Sequence, residues 1–206
     1  MVGRIISIDQ LMAEILRDLP FYDQSQGGVT FTGGEPMFQR EFLYESLFAC
    51  VNSDIHTCVD TSGHASWDGF EAINPLVDLY LYDLKLMDDA RHRRYTSVSN
   101  QLILENLQRL SRLKAHICVR IPLIPGINDD RDNIEKSAAF LANLPCLDAV
   151  ELMPYHDIGL AKFGALGMNY KLKETQPASK EHIEEIENIL FSHKLPIIKH
   201  NSGRFI

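Results

Sequence analysis

The sequence predicts an α/β protein built on a parallel sheet. Two observations carry that reading. Short runs rich in β-branched and aromatic residues recur along the chain, and stretches with apolar residues at helical spacing separate them. Strands separated by helices of this length need crossover connections, and crossovers make neighbouring strands parallel. The composition agrees with a folded domain of ordinary kind: 206 residues, 45% hydrophobic, 23% charged and 9% aromatic.

The elements follow in order. Ser7 with Gln10 three residues on forms a capping box, and Leu11, Ile15 and Leu19 continue at helical spacing, so a first helix is expected over 8–19 with Pro20 ending it. Gly27 and Gly28 open a strand at 29–32, and Phe42, Leu43, Leu47 and Phe48 mark a helix at 39–51. Further strands are expected at 55–59, 77–82, 116–121, 149–153 and 196–199, with helices at 67–74, 99–114, 132–143 and 179–193. Residues 159–177, with three glycines and one proline, show no clear period and read as a lid or surface loop. No linker or composition shift divides the chain, and residues 1–206 read as one domain.

Charge excludes some functions. A net charge of -8 argues against a nucleic-acid partner, because phosphate binding rests on a basic face. His92, Arg93 and Arg94 form the single compact basic cluster, and a solvated helix end explains it. No stretch approaches the roughly 18 apolar residues of a membrane span, and the start at Met1 leads into a polar helix, so the expectation is a cytoplasmic protein without a membrane partner. Cys50, Cys58, Cys118 and Cys146 stand far apart, and none belongs to a CxxC or CxxxC pair. They read as small hydrophobes, most of them buried.

Parallel βα sheets bind ligands at the carboxyl ends of their strands. Those ends carry polar groups here: Thr32-Gly33-Gly34-Glu35-Pro36, Asp60-Thr61-Ser62-Gly63, Asp83-Leu84-Lys85, Arg120, and Pro154-Tyr155-His156. Gly33 and Gly34 let a ligand approach the backbone, and Glu35 can accept from an ammonium. Asp60 and Asp83 abut apolar runs, where an unpaired carboxylate costs several kcal/mol, so they need partners. Lys85 is the local partner for Asp83, and a plain buried ion pair is the alternative to a ligand-binding role for those two residues. Arg120 shares a strand face with Cys118, and its guanidinium fork suits a carboxylate or phosphate. The mixture of acids, fixed cations and an imidazole at His156 suits a zwitterion that also carries a positive centre.

The motifs 28–36, 56–63, 82–85, 120–126 and 152–156 resemble, in that order, those of the glycyl-radical-enzyme activating proteins. These form the branch of the radical S-adenosylmethionine family typified by the pyruvate formate-lyase activating enzyme. The resemblance implies a partial (β/α) TIM-like barrel, missing its first βα unit and truncated on its N-terminal side. It implies that Thr32, Gly33, Gly34 and Glu35 meet the methionine amino group of S-adenosylmethionine, and that Asp60, Lys85, Arg120 and His156 line the same cofactor. Asp60, Thr61 and Asp83 are an alternative set for a monovalent cation beside it.

The family also uses a 4Fe-4S cluster held by CxxxCxxC, a motif absent from this sequence. In the full mechanism the cleaved S-adenosylmethionine yields a radical that takes a hydrogen atom from a glycine of a pyruvate formate-lyase-type partner. The expectation is therefore a fragment that keeps cofactor- and partner-binding surface, has no catalytic residue of its own and is inactive alone. A non-catalytic module that binds S-adenosylmethionine or the partner is the alternative. An aldolase using Lys85 as a Schiff base ranks below both, since Asp83 should hold the lysine charged. Loss of the first βα unit would leave an exposed strand edge near 29–32, through which the chain is expected to self-associate.

Overall fold

The computed structural model describes residues 4–156, 172 and 175–198. Six strands form one sheet in the order β1 to β6: Gly28–Phe31, His56–Thr61, Leu79–Asp83, Ile117–Leu123, Ala149–Pro154 and Ile197–Ile198. Every pairing is parallel. Strand order equal to chain order is the winding of a βα barrel, and among the described residues the sheet is not closed: β1 pairs with β2 alone. The α/β class and the partial barrel are therefore present.

The helices are α1 (Ile8–Ile15), α2 (Leu19–Ser25), α3 (Arg40–Val51), α4 (Trp67–Ile73), α5 (Asp89–Thr96), α6 (Gln101–Arg112), α7 (Arg131–Ala142) and α8 (Lys180–Ser192). Their starts are set by local chemistry. Ser7 caps α1 through the expected capping box, and Asp88, Asp130 and Ser179 each accept a backbone N–H in the first turn of α5, α7 and α8.

Alternation of side chains sorts the sheet into two faces. Ile117, Val119, Ile121 and Leu123 of β4 are fully buried on one side, with Tyr80 and Tyr82 beside them. There they meet Phe70, Leu107, Ile134 and Leu190 from the helices. Each such side chain contributes about 1.5–3 kcal/mol on burial. The other face carries Asp60, Asp83 and Arg120. A smaller cluster of Ile15, Cys50 and Ile55 packs against Leu11, Met12, Val29 and Phe31, seating α1 beside β1.

Several expectations are corrected. Pro20 does not end a helix: α1 stops at Ile15, a short 3-10 turn follows, and Pro20 lies in the first turn of α2, where a missing N–H costs nothing. Helix α5 was not expected as an element of its own, and His92, assigned to a solvated helix end, is buried with its Nδ1 2.8 Å from the Val98 carbonyl. The ladders also run further than the apolar runs, so that Asp60, Thr61, Asp83 and Pro122 lie within strands. Most of the loop expected at 159–177 lies outside the described residues, as does Lys199. Among the described residues no helix is long and apolar enough to cross a membrane.

Candidate functional site

The carboxyl ends of β1 to β4 are joined by one chain of polar contacts. Thr32, just past β1, donates its hydroxyl to Asp60 at 3.0 Å. Arg120 ion-pairs with Asp60 and also donates from Nη2 to Asp83 at 3.0 Å. Lys85 Nζ then donates to the other oxygen of Asp83, again at 3.0 Å. The register explains why these residues meet. Asp83 is the direct neighbour of Arg120 across β3 and β4, and alternation puts Asp60 on the same face one row below.

The ion pair expected between Asp83 and Lys85 thus exists, as one link of a network. Burial works against the Arg120 charge, but Asp83 and Asp60 outweigh it and raise the guanidinium above its usual pKa. The Arg120 side chain is 14% exposed and that of Lys85 34%, which makes Arg120 the anchor and Lys85 the open end of the chain. Glu151, register partner of Arg120 on β5, adds a half-buried carboxylate to the same face. Acids therefore outnumber cations there, which favours a ligand with excess positive charge.

Above β1 the backbone is open. A Cβ placed on Gly33 or Gly34 would meet nothing within 4 Å, and Gly33 has a φ of +150° that side chains rarely adopt. Glu35 ties this segment to β2. Its Oε1 accepts from the Thr61 hydroxyl at 2.8 Å and the Met37 N–H at 3.3 Å, and its Oε2 accepts from Ser62 N–H at 2.9 Å and the Ser62 hydroxyl. Its oxygens are engaged within the chain, so Glu35 ties the segment that carries Gly33 and Gly34 to β2.

Two residues from the sequence reading stand apart. Thr61 turns its hydroxyl toward Glu35, on the opposite side of β2 from Asp60, so the side chains of Asp60, Thr61 and Asp83 are not gathered around one point. His156 lies just beyond β5, exposed, and among the described residues it makes no hydrogen bond to the network.

Sequence reasoning missed a set of buried asparagines beneath the strand ends. Asn106 donates to the Gly63 and Ala65 carbonyls at 2.9 and 2.8 Å, while Asn100, Asn128 and Asn133 hold the segment after β3. A neutral amide leaves no charge signal, and no periodicity singles these residues out.

This chain belongs to the radical SAM superfamily, whose family model matches residues 2–138. Within it, the likeness is to the activating enzymes of glycyl-radical enzymes. The chain is 42% identical over 191 residues to the trans-4-hydroxy-L-proline dehydratase activating enzyme of Clostridioides difficile, covering 91% of this chain and 63% of that protein. It is 35% identical over 203 residues to the pyruvate formate-lyase-activating enzyme of Staphylococcus aureus strain USA300, covering 95% of this chain and 80% of that one. A solved domain of the pyruvate-formate lyase-activating enzyme from Bacteroides vulgatus superposes with a TM-score of 0.72 at 36% identity, covering 84% of this chain and 98% of that one. The chain thus spans less than two thirds of the hydroxyproline dehydratase activating enzyme.

The superfamily uses S-adenosylmethionine together with a 4Fe-4S cluster. The strand-end residues fit the first: an open glycine backbone lies beside a rail of alternating charge with acids in excess. The cysteines do not fit the second. Cys50, Cys58 and Cys118 are buried on α3, β2 and β4, and Cys146 precedes β5. Burial pushes the thiol of Cys50 up to about 11 and that of Cys118 up to about 12, whereas a cluster ligand is a thiolate. Among the described residues no group of three or more His, Cys, Asp or Glu is placed to hold a metal ion.

Proposed function

We propose that this chain binds S-adenosylmethionine across the carboxyl ends of β1 to β4 and serves the activation of a glycyl-radical enzyme of the pyruvate formate-lyase type. The polar chain from Thr32 through Asp60, Arg120 and Asp83 to Lys85, lying beside the open Gly33-Gly34 backbone, carries the reading. When bound, S-adenosylmethionine supplies the carbon–sulfur bond whose cleavage is the superfamily's chemistry. The carbonyls of residues 32–34 take its ammonium, Lys85 meets its carboxylate, and the surplus acids of the face, Glu151 among them, balance the sulfonium. Partner choice follows the relatives, whose names are those of activating enzymes.

On its own the chain binds without turnover: Cys50, Cys58 and Cys118 lie on three separate elements, where burial raises each thiol, and Cys146 stands in the connection before β5. Glu35→Ala releases the Gly33-Gly34 segment from β2 and is expected to weaken S-adenosylmethionine binding about tenfold, the scale of one or two lost charged hydrogen bonds. Isothermal calorimetry on the wild type and this variant tests the site, and the same anaerobic samples, supplied with dithionite, are checked for 5'-deoxyadenosine. Saturable one-to-one binding with no product is the expected result. Absence of wild-type binding, or turnover by the chain alone, would overturn the reading.

A further inference from the structure

Lys85 stands where the chain has already left the sheet. The last ladder contact of that segment is the Leu84 N–H to the Arg120 carbonyl at 2.9 Å, and residues 85–87 then run toward α5 without strand partners. Buried backbone groups in such a stretch need hydrogen bonds from elsewhere. Three asparagines, each 2% exposed, provide them. Asn100 donates to the Leu86 and Met87 carbonyls at 2.9 and 2.8 Å. Asn133 accepts from the Met87 N–H at 2.9 Å and donates to the Asn128 carbonyl at 2.8 Å.

Asn133 also reaches the Lys85 carbonyl, at 3.5 Å, and Asn128 adds a link from that carbonyl to β4. The Asn128 Nδ2 donates both to the Lys85 carbonyl at 3.0 Å and to the Pro122 carbonyl, and its Oδ1 accepts from Ile124 N–H at 2.7 Å. One side chain therefore fastens the base of Lys85 to the exit of β4, two residues beyond Arg120. Together with the ladder bond from Leu84 to Arg120, it ties the backbone of one cation of the site to that of the other. The residue type matters: a carboxamide offers two donors and an acceptor in a fixed plane, a carboxylate has no donor for the two carbonyls, and alanine removes a partner from three backbone groups, of which the Lys85 carbonyl keeps the longer bond from Asn133.

We propose that Asn128, supported by Asn133, is a positioning residue that fixes Lys85 against Asp83 and at its distance from Arg120, so that the lysine ammonium is preorganised for an anionic group of the ligand. The inference rests on the S-adenosylmethionine reading for the identity of that ligand, and on hydrogen-bond geometry alone for the clamp. A lysine on a flexible stem loses much rotamer freedom when it is held, and holding it before binding removes that cost from the binding step.

The test has two arms, both on the full chain. In the first, calorimetry with S-adenosylmethionine compares Asn128→Ala, Lys85→Ala and the double variant. Asn128→Ala should weaken binding about tenfold, and it should add less than about twofold in the Lys85→Ala background, because a residue acting through Lys85 has nothing left to act on. Ser111→Ala, which removes a buried hydroxyl bonded to the Cys146 carbonyl away from the strand ends, controls for lost stability and should leave affinity unchanged. Additive losses in the double variant would overturn the proposal.

The second arm needs no ligand. Acetylation of Lys85 by acetic anhydride, followed by mass spectrometry, should be several-fold faster in Asn128→Ala than in the wild type, and an unchanged rate would overturn the clamp. A wild-type chain that binds no S-adenosylmethionine would sink the ligand reading while this arm still decides the clamp. Should Asn128→Ala fail to fold, Asn133→Ser carries both arms, with smaller effects in the same direction expected and no effect contradicting the proposal.

Discussion

Gly63 has a φ of +75°, and a Cβ added to it would sit 1.9 Å from the hydroxyl of Tyr82. That hydroxyl is fully buried and donates to the Ile103 carbonyl at 2.7 Å, so it cannot step aside. Gly63→Ala is expected to destabilise the chain by about 2–4 kcal/mol, the sum of a left-handed backbone and an overpacked core, as read from denaturant unfolding. A loss under about 1 kcal/mol would show that the turn relaxes. Other residues of the site differ in how far the sequence reveals them. Asp60, Asp83 and Arg120 stand out because a charge beside an apolar run demands a partner. Glu35 stands out as an acid, but its role does not, since its bonds to Thr61 and Ser62 depend on the register of β1 against β2. Asn128 is silent in the sequence: a neutral residue in a turn carries neither charge nor period.

Helix α5 shows the corresponding limit for elements. Its eight residues, Asp89–Thr96, carry almost no apolar stripe, so hydrophobic spacing cannot reveal it. Caps and charges hold it instead. Asp88 accepts the Arg91 N–H, and Asp89 accepts from the Ser99 hydroxyl at 2.6 Å, Asn100 N–H at 3.0 Å and Arg93 Nε at 2.7 Å, joining α5 to α6. The Ser99 hydrogen bond, then that of Arg93, lowers the Asp89 carboxyl to about 2. A folded-state pKa below the ordinary value of about 3.9 contributes stability above that value and loses it as pH falls. The stability gap between wild type and Asp89→Asn should therefore be constant above about pH 5 and shrink between about pH 4 and 2. Thermal unfolding at stepped pH measures it, and a gap that does not change over that window would contradict the assignment. Pro20 teaches a similar lesson, since a proline ends one helix or begins the next with equal local logic, and here the packing of α1 on α3 and β1 leaves α2 to begin at Leu19.

At the scale of the molecule, alternation along the chain made the βα winding legible, because strand and helix periods differ. The open edge at β1 follows from the same winding, with β2 as the single partner among the described residues. What the sequence could not show is which strand face the helices leave bare, and that face is where Asp60, Asp83, Glu151 and Arg120 collect. The central claim is that this face, at the carboxyl ends of β1 to β4, holds S-adenosylmethionine. Hydrogen–deuterium exchange with and without saturating S-adenosylmethionine tests it most directly. The account predicts slowed exchange confined to residues 32–36, 60–64, 83–87 and 120–124, with α8 unchanged. No change at any of these strand ends, or protection confined to the helical side around α7 and α8, would contradict it.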